Sequence, residues 1–254
     1  MSSSKEKNWD LIVKELPEKL YKINISASTQ EKIEKLHQYL NNNPKTNCLY
    51  YFNHISYSDP LLVGHIIDKI DPNKTRPIII PVSYSHTEPK KIKNIPSIAM
   101  IKLAGACGVN PFRVIQNYQI NNPHFNYDEA MAQKININLF QELKKYKKSE
   151  LPFALAISPE GHRSDNGILG EAESGMLSIA RYIEPVLLVP IAIHYDKKYN
   201  RNGTNIGKNV SLEIGKEYLY NNQEKRDIDF YMNRLALALP PQMRGKYNSE
   251  IKKF

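Results

Sequence analysis

The stretch "NCLYYFNHISYSDPLLVGHIIDKI", residues 47–70, decides how this chain folds. Residues 47–53 are almost continuously apolar, as expected of a strand covered on both faces. The chain then turns polar through His54-Ile55-Ser56-Tyr57-Ser58. Asp59-Pro60 reads as a helix start, because aspartate is a favoured N-cap and proline is favoured at the first helical position. A helix over 61–70 follows. Strand, turn and helix thus succeed one another without a linker.

The same rhythm recurs downstream. Strands are predicted at 47–53, 76–84, 109–115, 151–158, 185–195 and 210–215, with helices at 61–70, 95–106, 127–148, 175–183 and 227–239. The clearest helix is 127–148, where Met131, Ile135, Leu139, Leu143 and Tyr146 form an apolar stripe. Strands that alternate with helices and are apolar on both faces predict an α/β fold. Its central sheet is largely parallel and flanked by helices. In such sheets ligands gather at the carboxyl ends of the strands.

Upstream, Trp9, Ile12, Val13 and Leu16 share one helical face before Pro17. Ser28 and Glu31 have capping-box spacing ahead of Ile33, Leu36 and Leu40, and "NNNPKTN" (41–47) ends that helix. The chain therefore reads as a helical prefix over 1–45 followed by one domain over 46–254.

Length and composition set bounds. A chain of 254 residues with 41% hydrophobic and 24% charged residues can bury a full core. Mean hydropathy is −0.52. The longest apolar candidate, 95–109, is too short for a membrane span and carries Lys102. The first twenty residues lack a secretory apolar core, and Cys48 and Cys107 are too few for a disulfide framework; both point to a cytoplasmic setting. The net charge of +9 and a pI near 9.3 favour anionic partners. Basic clusters occur at 88–93, 142–148 and the last four residues. No nucleic-acid-binding signature accompanies them, so nucleic acid is not expected as a partner.

Two polar motifs follow apolar strands directly. In the first, His54 and Asp59 are five residues apart. On a regular helix that spacing rotates side chains by roughly 140°, so they meet only if the chain turns between them. A strand-to-helix turn supplies this, leaving one imidazole nitrogen oriented by a carboxylate and the other free to take a proton. In the second, "ISPEGHRSDNG" (157–167) crowds Glu160, His162 and Arg163 into one loop. The bland readings are a capped helix for the first and a charged surface turn for the second.

Taken in order, four blocks resemble the glycerolipid acyltransferases, the 1-acylglycerol-3-phosphate and glycerol-3-phosphate O-acyltransferase family. They are "NHISYSDP" (53–60), "GVNPFRV" (108–114), "SPEGHRS" (158–164) and "VPIAI" (189–193). Ser158 stands where the family has Phe and His162 where it has Thr. The segment 170–181 is similar to the region after the third block, with Gly175 opening a helix.

The resemblance implies acyl transfer from acyl-CoA or an acyl carrier protein to a hydroxyl, with no cofactor beyond that thioester donor. It implies His54 as general base and Asp59 as its orienting acid. Arg113 and Arg163 would bind a phosphorylated glycerol or lysophospholipid acceptor. Glu160 would accept from an acceptor hydroxyl or hold Arg163, and Gly161 would complete the substrate-binding loop. Oxyanion donors are open between the helix start and the Glu160-Gly161 loop. Insoluble acyl chains imply peripheral binding to an anionic membrane surface. Two rival readings use the same residues: a non-catalytic lipid- or carrier-binding protein of this fold, and a metal-dependent hydrolase built on His54, Asp59, Glu160 and His162.

Overall fold

The computed structural model describes residues 10–88, 102, 105, 108–196, 199–200, 203–221 and 226–248. Its strands are β1 (Lys22–Ile25), β2 (Asn47–Phe52), β3 (Ile78–Ser83), β4 (Val109–Val114), β5 (Ala154–Ile157), β6 (Val186–Tyr195), β7 (Asn209–Ile214) and β8 (Tyr218–Tyr220). The helices are α1 (Leu16–Leu20), α2 (Ala27–Asn42), α3 (Asp59–Ile70), α4 (Glu129–Ser149), α5 (Gly175–Ile183) and α6 (Ile228–Leu237). The strands form one sheet in the order β1-β7-β6-β2-β5-β3-β4, with β8 also paired to β6. Pairings within β2–β6 are all parallel, as is β1 with β7, whereas β7 and β8 run antiparallel to β6. The fold class is thus the one expected, a mostly parallel α/β sheet flanked by helices.

Alternation along the strands builds two cores. Cys48, Tyr50 and Phe52 of β2 join Leu62, Ile66 and Ile70 of α3 and Ile33, Leu36 and Leu40 of α2 on one face. Leu49 and Tyr51 join Leu139 and Leu143 of α4, Ile179 of α5 and Leu235 of α6 on the other. Every residue of β2 after Asn47 is buried, which is why the run reads as apolar without alternation. The stripe on α4 divides: Leu139 and Leu143 enter the second core, while Met131 and Ile135 pack on a small cluster of Ile115, Tyr127 and Ala132.

Several expectations are corrected. Residues 22–25, inside the stretch read as helical, are a strand that pairs in parallel with β7. Ser26, not Ser28, caps α2, its hydroxyl accepting from the Thr29 N–H at 3.2 Å. The helix before Pro17 is a π-turn over Asp10–Glu15, and Pro17 sits in the first turn of α1 rather than ending a helix. Asn41 and Asn42 still belong to α2. The short β8 was not foreseen. The predicted helix at 95–106, apart from positions 102 and 105, lies outside the described residues, as do Trp9, Cys107, 89–93 and the terminal basic cluster.

Pro190 lies inside β6, paired in register with Tyr51. A proline lacks a ladder donor and is rare in a central strand. Its carbonyl accepts from the Gly215 N–H at 2.9 Å. Within a strand, a residue's N and C=O point to the same side, so the missing donor faces the break between β7 and β8. Only glycine fits there: a Cβ on Gly215 would lie 2.6 Å from the Arg234 carbonyl oxygen and 2.7 Å from Pro190 Cγ. Gly215→Ala is therefore expected to destabilise the fold by about 1–3 kcal/mol, the range for overpacking. An unchanged urea midpoint would show that this crossing is slack.

Candidate active site

The parallel strands bring the carboxyl ends of β2, β3, β4, β5 and β6 to one edge of the sheet, and the site is built there. The end of β2 is pinned sideways. Asn53 Nδ2 donates to the Ile193 carbonyl at 2.9 Å, and the Ile193 N–H donates to Asn53 Oδ1 at 2.8 Å. A buried side-chain amide thus adds one more rung between β2 and β6 after the backbone ladder has ended.

His54 comes next. Its backbone N–H donates to Glu160 Oε1 at 2.9 Å, and its carbonyl accepts from the Ser164 N–H at 2.7 Å. Both main-chain groups of the histidine are therefore held by the loop after β5. The ring meets Phe52 edge-on, with centroids 6.0 Å apart. Its side chain is 23% exposed, whereas that of Asp59 is fully buried.

Asp59 is not the N-cap. Ser58 takes that position without a side-chain cap, and Asp59 is the first residue of α3. Its Oδ2 faces back into the turn, accepting from His54 Nδ1 at 2.8 Å, the Ile55 N–H at 2.6 Å and the Ser56 N–H at 2.7 Å. Three donors on one oxygen suit a carboxylate, and the first turn of a helix favours negative charge. With the ring proton on Nδ1, the lone pair is on Nε2. The spacing argument is therefore realised: the chain turns, and the two side chains meet.

The second motif supplies a brace. Glu160 is 1% exposed, and its other oxygen, Oε2, accepts from the Gly170 N–H at 2.8 Å. Each oxygen is thus engaged by a backbone donor, where an acceptor hydroxyl or Arg163 was expected. Burial raises the Glu160 carboxyl to about 7, against the opposing pull of its two N–H donors. Gly161 turns the chain at φ +71°, its N–H donating to the Ser158 carbonyl at 3.2 Å. Arg163 lies over the Tyr57 ring, 3.8 Å from its centroid, and donates from Nη2 to the Tyr57 hydroxyl at 3.1 Å. It is thereby tied to the turn that carries His54 and Asp59. His162 is exposed, with Nδ1 3.2 Å from the Arg163 carbonyl oxygen.

Arg113 stands apart. It is exposed on β4, three strands from β2, or roughly 14 Å at the usual strand spacing. The loop after β4 does reach the second motif: Asn117 donates to Glu173 at 2.8 Å, and the Tyr118 and His162 rings meet edge-on. The structure therefore joins His54, Asp59, Glu160 and Gly161, attaches Arg163 through Tyr57, and leaves Arg113 on the same edge at a distance. Among the described residues, no group of three or more His, Cys, Asp or Glu side chains could hold a metal ion. Sequence reading gave no role to Asn53, Tyr57, Ser164, Gly170 or Tyr195. Asn53, Tyr57 and Ser164 lie inside the quoted blocks and Gly170 opens the segment after the third, so their positions were signalled but not their roles; Tyr195 lies just past the fourth block.

No protein-family model matches the chain, and no curated protein does either. Among solved structures, it is similar to the 1-acyl-sn-glycerophosphate (LPA) acyltransferase PlsC from Thermotoga maritima. The TM-score is 0.51 at 16% identity, over 91% of this chain and 76% of that one. The two share a fold.

The sign of the Glu160 effect follows from its raised value. The folded state holds the proton more tightly than the unfolded chain, so this group's stabilisation is complete below pH 4.5 and is lost as pH rises through about 7. The unfolding free energy of the wild type minus that of Glu160→Gln, from urea melts, is expected to fall between pH 4.5 and 8 by on the order of 3 kcal/mol. A flat difference would remove the shift.

Proposed function

We propose that this chain is a glycerolipid O-acyltransferase. It moves a fatty acyl group from acyl-CoA or acyl carrier protein to the hydroxyl of a glycerol-phosphate or lysophospholipid acceptor. The observation that carries this reading is the 2.8 Å contact between His54 Nδ1 and Asp59 Oδ2 at the carboxyl edge of the sheet. The order of the four blocks and the likeness in fold to PlsC support it.

In this reaction the acceptor hydroxyl gives its proton to His54 Nε2 as its oxygen attacks the thioester carbon. The tetrahedral intermediate expels the thiolate, which takes the proton back from the imidazolium. Asp59 holds the tautomer and stabilises the charged ring. No enzyme nucleophile is required. Arg163, planar and stacked on Tyr57, offers its fork to the acceptor phosphate. Arg113 serves an anionic group farther along the same edge. Glu160 acts through the main chain of His54 rather than by touching the acceptor, and Gly161 shapes the turn that allows this.

The same reading places the protein peripherally on an anionic membrane surface facing the cytoplasm. Among the described residues no helix is long and apolar enough to cross a membrane. Lys144, Lys145, Lys147 and Lys148 are all exposed on α4 and offer a basic face.

Two measurements test these points. His54→Ala is expected to lower kcat by at least about a hundredfold with an unchanged circular dichroism spectrum; undiminished turnover would end the general-base role. Sedimentation with phosphatidylserine vesicles at low salt, with release at about 0.5 M salt, is the expected membrane behaviour, since screening at that strength shortens the range of charge attraction. Equal binding to phosphatidylcholine vesicles would count against the charge.

A further inference from the structure

We propose that Tyr195 is a positioning residue for the His54–Asp59 pair, acting on the oxygen of Asp59 that the turn leaves over. Three N–H donors converge on Oδ2. On Oδ1, the donor among the described residues is the Tyr195 hydroxyl, 3.5 Å away. Both oxygens of an aspartate turn together about its broad last torsion, so a fourth donor, on Oδ1, narrows the motion that the three on Oδ2 leave and helps keep Oδ2 aimed at the imidazole.

Tyr195 is itself fixed. It is the last residue of β6, 6% exposed, and shares a sheet face with Ile193, whose backbone clamps Asn53. Its hydroxyl lies 3.1 Å from Ser56 Oγ, which accepts from the Ser58 N–H at 3.0 Å. One assignment of protons satisfies every member: Ser58 N–H to Ser56 Oγ, Ser56 O–H to Tyr195, and Tyr195 O–H to Asp59. Burial pushes the Tyr195 hydroxyl well above the usual tyrosine range, so it keeps the proton it donates. Tyr21, from the start of the chain, braces the far end: its hydroxyl lies 2.6 Å from both Ser58 Oγ and the Thr204 carbonyl oxygen. Strand β6 thus orients both halves of the pair, the histidine through Asn53 and the aspartate through Tyr195.

The kinetic part of this inference rests on the acyltransferase reading; the geometric part does not. Tyr195→Phe keeps the ring and removes the donor. With an acyl-CoA donor and lysophosphatidate as acceptor, kcat is expected to fall about threefold, the low end of the range for a lost hydrogen bond as befits a 3.5 Å contact, with KM unchanged. In proton NMR spectra of 15N-histidine-labelled protein, the downfield Nδ1–H resonance of His54, assigned by its absence in His54→Ala, is expected to move. Ser56→Ala should give the same changes at smaller amplitude, and it serves if Tyr195→Phe does not fold. An unmoved resonance would overturn the inference, whether or not kcat falls. If the wild type transfers no acyl group, the function proposed above fails and the resonance alone decides: a shift upholds the positioning role, and no shift ends it.

Discussion

A carboxylate removed from water must receive its hydrogen bonds from the protein, or the fold that buries it is strongly disfavoured. Asp59 is fully buried, and the architecture around the site follows from meeting that demand. The turn 54–58 folds so that two of its own N–H groups and the His54 ring point at one oxygen. Such a turn holds its shape only if both ends are anchored. Asn53 anchors the entry on β6, and α3 packs the exit against the sheet through Leu62 and Ile66. An apolar residue at position 59 would remove the acceptor on which the turn closes as well as the partner of the histidine.

The loop after β5 is anchored to the same place in return. Glu160 takes the N–H of His54 and Ser164 gives its own N–H to the carbonyl, so two segments more than a hundred residues apart fold around one residue. This is stiffer than a contact between side chains, because main-chain groups carry little rotamer freedom. Arg163 adds a side-chain link through Tyr57, stacked on its ring and bonded to its hydroxyl. His54 is therefore held through its own main chain, whereas Arg163 is joined to the turn through a side chain.

What could be read from the sequence depended on range. The His54–Asp59 contact spans five residues and follows from the local turn, so spacing and chain stereochemistry reveal it. Strands β2, β5 and β6 were legible because burial on two faces leaves a continuous apolar run. The Asn53–Ile193 and Tyr195–Asp59 contacts span 140 and 136 residues and depend on how β6 registers on β2, which no local pattern encodes. Lys22–Ile25 was missed because four residues between two helices give too short an alternation to outweigh the helical period around them. Ser28 was preferred to Ser26 because a glutamate three residues on mimics a capping box; the side chain that decides the matter is Glu213 of β7, which accepts from the hydroxyls of Ser26 and Thr29. Glu160 was found in the right loop but given the wrong partner, since sequence shows a carboxylate but not the peptide groups that enclose it.

Strand β1 carries a consequence for the life of the unfinished chain. β7 runs antiparallel to β6 and exposes its other edge, Asn209 to Leu212, to whatever can pair with it; in the folded protein that is Lys22–Ile25. The covering strand leaves the ribosome early and its template late. For most of synthesis the isoleucines of β1 have no native neighbour in the sheet. Any species in which the start of the chain has peeled away presents a bare β edge rich in buried-type residues, the form of surface on which separate molecules stack into aggregates. Lys22 and Lys208 sit together at the first end of this pairing and place charge there, which opposes such stacking.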